Sequence, residues 1–96
     1  MSVRNAQTAT LANVASSATS VSVFAANDAA VARALWNDST AVLYLKFGSG
    51  AASTTSYTVQ LAAGAYYEFP QPVYGGAVTG IWASANGNAR TTEVTK

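Results

Sequence analysis

Four carboxylates, Asp28, Asp38, Glu68 and Glu93, are the only acidic side chains in this sequence, which has no histidine and no cysteine. Histidine triads, thiol nucleophiles and imidazole or thiolate zinc sites are therefore excluded. A glycosidase pair would need two carboxyls about 5–10 Å apart in one cleft. Asp38 lies in a turn-forming stretch, and Glu68 and Glu93 fall at polar positions of extended segments. All four are expected as solvated or ion-paired groups rather than catalysts. A calcium site needs several oxygen ligands close together. Asn37, Asp38 and Ser39 offer some, yet such side chains also bond their own backbone, and a plain turn accounts for them. Gly48-Ser49-Gly50 is followed by neither the Lys-Ser/Thr pair nor the helix of a phosphate loop. Asn37-Asp38-Ser39 matches a glycosylation sequon, and with no signal-peptide pattern in view the match is expected to be a chance one. The expectation is a non-enzymatic protein without metal or cofactor.

The aromatic residues are the richer signal. Trp36, Trp82, Tyr44, Tyr66, Tyr67 and Tyr74 have the side-chain type that dominates both cores and binding hot spots. About half are expected in the core. Tyr44 and one of Tyr66 or Tyr67 are expected on the surface, because they oppose core positions on their strands. Trp36 completes the aromatic candidates for an interface or a sugar-stacking platform.

Elements that must position these residues are read from pattern. The 96 residues correspond to one domain. Half of them are hydrophobic, but 21 are alanine, so the core is thin. Only 9% are charged, against about 25% in a typical soluble domain. Arg4, Arg33, Lys46, Arg90 and Lys96 are scattered, so nothing tracks a phosphate backbone and no nucleic acid is expected. No apolar run approaches the ~18 residues of a membrane span.

Val21 and Val23 alternate with serines. Leu43, Leu45 and Phe47 share one face of a strand, with Val42, Tyr44 and Lys46 on the other. Tyr57, Val59 and Leu61 form the next strand. Ala62-Ala63-Gly64 turns it into Tyr66–Phe69. Pro70 and Pro72 exclude a central strand between them. Val78 to Ala83 is a strand, and Asn86-Gly87 signals a type I′ hairpin into Arg90–Thr95. Residues 28–34 suit a helical turn or a β-connection, and Asn37–Thr40 a reversal. This spacing predicts an all-β protein, a single small antiparallel sandwich of about seven or eight short strands, jelly-roll or immunoglobulin-like. Residues 1–10 are expected as a flexible arm and 11–96 as the sandwich.

The runs WNDSTAVLYLKFGSG, TTSYTVQLAAGAYYEFP and YGGAVTGIWASANGNARTTEVT together resemble small β-sandwich structural proteins of tailed bacteriophages. The shared order is an Asn-Asp-Ser turn, a Leu/Tyr-rich strand ending in Gly, an Ala-Gly-x-Tyr-Tyr-Glu segment, a Tyr-x-Gly turn and an Ile-Trp-Ala strand. The resemblance covers most of the chain from Asn13. It implies a virion component made in the host bacterial cytoplasm, a capsid decoration or cement protein that binds the major capsid protein and stabilises the head lattice. The alternative it leaves open is a tail or fibre module that binds host glycan through exposed aromatics. Arg33 is the one basic residue of the segment before the Asn-Asp-Ser turn, and joins Tyr44, Tyr66, Tyr67 and Trp36 as a candidate interface residue. Contacts with other virion proteins and between copies, a closed trimer foremost, would complete the thin core.

Overall fold

A computed structural model describes residues 8–96. The alternating segments all become strands, and no helix occurs among the described residues. They are β1 (Thr8–Ala15), β2 (Val21–Phe24), β3 (Ala30–Asp38) and β4 (Leu43–Phe47), then β5 (Val59–Leu61), β6 (Tyr66–Glu68), β7 (Val78–Trp82) and β8 (Asn88–Thr95).

One sheet has the order β1-β8-β3-β6 and the other β2-β7-β4-β5. Every pairing is antiparallel. Eight strands interleaved in this order, with every link except β4–β5 crossing between sheets, make a double Greek key, the jelly-roll form of the sandwich. This resolves the choice left open by pattern alone against the immunoglobulin-like order.

The core lies between the sheets. Leu35 comes from one sheet and Val23, Leu43, Leu45, Val78 and Trp82 from the other, with Leu61, Phe69 and Ala89 closing the ends. Leu43 and Leu45 point inward as their alternation requires, and Phe47 packs against the same cluster. At one end Phe69 meets Phe24 edge-on at 5.3 Å and stacks on Phe47 at 4.8 Å. Tyr74 stacks on the far side of Phe47 at 4.8 Å. Gly80 lets the central strand β7 come close to its neighbours: a Cβ there would meet Val23 Cγ2 at 2.9 Å and Leu43 Cδ1 at 3.0 Å.

One open choice is decided and two local expectations are corrected. Residues 28–34 form no helical turn, because β3 begins at Ala30 and pairs with β8 along its length. The reversal expected at Asn37–Thr40 falls at Ser39–Thr40, since Asn37 and Asp38 still belong to β3. Asn86-Gly87 is not a hairpin turn. β7 pairs with β2 and β4, and β8 with β1 and β3, so the link carries the chain from one sheet to the other. Gly87 keeps the positive φ of 77° that the Asn-Gly pair signals. The structure starts β1 at Thr8, within the segment assigned to the arm, and residues 1–7 of that arm lie outside the described residues.

Candidate functional site

Trp36 projects outward because Leu35 and Asn37 on either side of it point into the core. In the register of the sheet it stands opposite Tyr66 of β6 on one side and Arg90 of β8 on the other. Arg90 in turn stands opposite Asn13 of β1. One row, Tyr66–Trp36–Arg90–Asn13, therefore crosses the whole outer face of this sheet. Directly opposed side chains in such ladders sit about 4.5–5.5 Å apart at Cβ.

The row is held in place. The Trp36 indole Nε1–H donates to the Gly64 carbonyl at 3.1 Å, which turns the ring along the surface. Tyr66 donates its hydroxyl to Glu68 Oε2 at 3.2 Å. Arg90 Nε donates to Asp38 Oδ2 at 2.6 Å and Nη1 to Asn13 Oδ1 at 3.1 Å. Even so, 43% of Trp36 and 63% of Tyr66 remain exposed. The neighbouring row, Leu11, Thr92, Ala34 and Glu68, holds no aromatic ring. Large rings beside a row without them leave shallow depressions. One of about 440 Å³ lies between Trp36, Tyr66, Arg90 and Thr92. A second of about 300 Å³ lies beyond Tyr66, towards Gln71 and Val94. A larger concavity, about 670 Å³ between residues 26–30 and 73–76, is lined by no aromatic ring and by one charged side chain, Asp28.

Arg90 and Asp38 form an ion pair on the aromatic face, and Glu68 adds one further negative charge there. Burial raises the Tyr66 phenol above its ordinary 10.0, and the charge and hydrogen bond of Glu68 add to the shift. The ring therefore stays a neutral donor through the physiological range. Tyr67 is raised as well, by desolvation alone.

The candidates named from sequence are divided by the fold. Trp36 and Tyr66 come together. Tyr67 points the other way, opposite Leu35, and packs on Phe69 with ring centroids 5.5 Å apart. Tyr44 lies on the outer face of the opposite sheet, half-buried, edge-on to Tyr57 at 5.1 Å. Arg33 is not at the surface at all, with 1% of it exposed. Its Nε donates to Glu93 at 2.8 Å, Nη1 to the carbonyls of Tyr74 and Gly76, and Nη2 to that of Ala25. Its guanidinium also covers the Phe24 ring at 4.8 Å. Arg33 thus ties β3 to the segments that follow β2 and precede β7. Three of the four acids are placed by the same bonds: Asp38 on Arg90, Glu93 on Arg33 and Glu68 on Tyr66.

Leu11 and Arg90 were not singled out by pattern. Leu11 is 74% exposed on the same outer face. The only signal for it is a lone large apolar residue within a Thr/Ala strand. Arg90 becomes part of the face through its register with Trp36, which the chain order does not reveal.

Comparison with known proteins gives no match: no family model, no curated protein and no solved structure aligns with the chain.

Proposed function

We propose that this chain is a non-enzymatic structural protein of a tailed-phage virion, a decoration or cement subunit that docks on the major capsid protein and reinforces the head lattice. The observation that carries this reading is the anchored pair Trp36–Tyr66 with Arg90, exposed side by side on the outer face of one sheet. Trp, Tyr and Arg are the residues most enriched where protein–protein contacts hold their energy. The hydrogen bonds to Gly64, Glu68 and Asp38 fix these side chains in advance, which lowers the entropic cost of docking. The double-sheet jelly roll is a form used by viral capsid and lectin domains, which adds a fold-level analogy. The order of blocks from Asn-Asp-Ser to Ile-Trp-Ala supplies the phage context.

The test is cosedimentation of the purified chain with empty shells assembled from the major capsid protein of the same genome. Saturable binding at a fixed ratio to capsid subunits is expected. A chain that stays in the supernatant at every concentration would end the head assignment.

A second reading has one specific observation behind it. The two depressions that share Tyr66 have polar groups at their rims, Arg90 and Thr92 in the one beside Trp36 and Glu68, Gln71 and Thr92 in the other, as a sugar ring stacked on an aromatic would require. In this reading the chain is a tail or fibre module for host glycan. A glycan array probed with the purified chain decides it, and an empty array leaves the docking reading alone.

A further inference from the structure

Four strands form the edges of the two sheets: β1 and β6 in one, β2 and β5 in the other. Three of these edges are short, β6 and β5 with three residues each and β2 with four. Short edges are one way proteins avoid unwanted strand pairing. β1 is different. It runs for eight residues, TATLANVA, with an unbroken register against β8 and none of the usual guards: no Lys, no Pro, no bulge. Seven of its eight residues are exposed, and only Val14 packs against the core, so most of both its faces is left open. Among the described residues no strand pairs with its other edge.

The direction of its backbone groups follows from one bond. Ser16 N–H donates to the Gly87 carbonyl at 3.1 Å, on the continuation of the β1–β8 register. In an antiparallel ladder, bonded and non-bonded pairs alternate. Even-numbered residues of β1 therefore bond β8. The carbonyl of Ala12 accordingly lies on the β8 side, where it accepts Thr91 Oγ1. The N–H and C=O groups of Ala9, Leu11, Asn13 and Ala15 point to the open edge.

We infer that β1 pairs antiparallel with β1 of a second copy of this chain, about a two-fold axis at Ala12, joining the two sheets into one. That register is the one that satisfies the whole edge. Ala9 then faces Ala15 of the other copy and Leu11 faces its Asn13, so every outward donor and acceptor finds a partner. Ala12 faces its own counterpart in a non-bonded pair, where two methyl groups fit. The two copies of Leu11 become diagonal neighbours on the outer face, within reach of one another. β1 carries no charged residue, so like charges never meet across the axis. The contact is isologous, and it closes at two copies, the smaller of the dimer and trimer that the sequence suggests. It stands independently of the capsid reading.

The absence of cysteine makes a clean test. Ala12→Cys places two thiols across the axis with Cα atoms about 4.5 Å apart, inside the disulfide range. Thr10→Cys is the control, because in this register Thr10 faces Val14 of the other copy. Under mild oxidation A12C is expected to run at twice the 9.8 kDa of the chain in non-reducing gels, and T10C at the single mass. Unmodified protein is expected to show the doubled mass in sedimentation. Leu11→Asp, which sets two like charges on the diagonal, is expected to return it to a monomer with an unchanged circular dichroism spectrum. A12C that stays monomeric, or couples no faster than T10C, overturns the inference. So does an unmodified chain that sediments as a monomer at all concentrations.

Discussion

The Trp82 indole donates its Nε1–H to Asn37 Oδ1 at 3.1 Å, and both residues are sealed in the interior. The same Asn37 sends its amide hydrogens towards the carbonyls of Ala41 at 2.9 Å and of Leu61 and Ala62 at 3.1 Å. Ser39 Oγ donates to its oxygen as well. One buried amide thus joins β3 to the chain around β4, to the end of β5 and to β7. Removing it strands several buried polar groups, each worth about 1–3 kcal/mol. Asn37→Ala should lower stability by roughly 3 kcal/mol or more, a fall in Tm of at least ~12 °C for a domain of this size. Asn37→Asp should be worse than Ala, because an ionised carboxylate only accepts and would face three carbonyls. Thermal unfolding of the two variants beside the unmodified chain checks the order, and an Asp variant as stable as the unmodified chain would mean the amide donors contribute nothing.

Arg33 makes a separate prediction. Its partner Glu93 is mostly buried, and truncating one member of such a pair typically costs about 3–5 kcal/mol. Arg33→Ala should therefore come close to unfolding the chain. Arg33→Lys should recover only part of the loss, because an ammonium cannot reach Ala25, Tyr74, Gly76 and Glu93 together. Urea unfolding would rank the three proteins, and an unaffected Ala variant would contradict the clamp.

Gly87 meets two demands at once. Its φ of +77° suits glycine, and a Cβ there would collide with the Asp38 carbonyl and with Ser39. Gly87→Ala should cost more than the ~1 kcal/mol of backbone strain alone, since the crossing between sheets must also shift. Gly64 has a similar φ of +78° with open space around it. Gly64→Ala should therefore be the milder change, and the difference in Tm between the two measures the collision.

Tyr66 titrates late. Its phenol is raised above 10.0 chiefly by desolvation, then by the charge and hydrogen bond of Glu68. A raised folded-state pKa means stability that is complete below pH 10 and declines as pH rises through the folded value. Ultraviolet titration should show phenols ionising above the ordinary value. Glu68→Gln should bring Tyr66 part of the way back and leave the desolvation part. An unchanged titration curve in that variant would remove Glu68 from the account.

Much of this architecture was legible from period-two alternation. The inward set Leu43, Leu45 and Phe47, the strand at Val78–Trp82 and the break at Pro70–Pro72 all follow from side-chain direction and proline chemistry. Strand order was not legible, because pairing joins residues distant in sequence. The Asn-Gly pair shows the limit. Its φ preference is local and was read, whereas the identity of the strands it joins is set by the whole topology. Arg33 and Asn37 escaped for a related reason. Polar residues signal a surface or a turn unless their partners are known, and these partners are backbone carbonyls of other segments. Of the candidate face, Trp36 and Tyr66 were found as aromatics, but their adjacency came from the β3–β6 register.

The most direct measurement is shell cosedimentation of the Trp36→Ala/Tyr66→Ala double variant beside the unmodified chain. Both residues are substantially exposed, so the variant should fold with little change in Tm. Hot-spot truncations of this kind cost about 2 kcal/mol or more each, about 30-fold in affinity per residue, so capsid binding of the double variant should fall on the order of 10³-fold. A folded double variant that binds the shells as tightly as the original would contradict the docking role of this face.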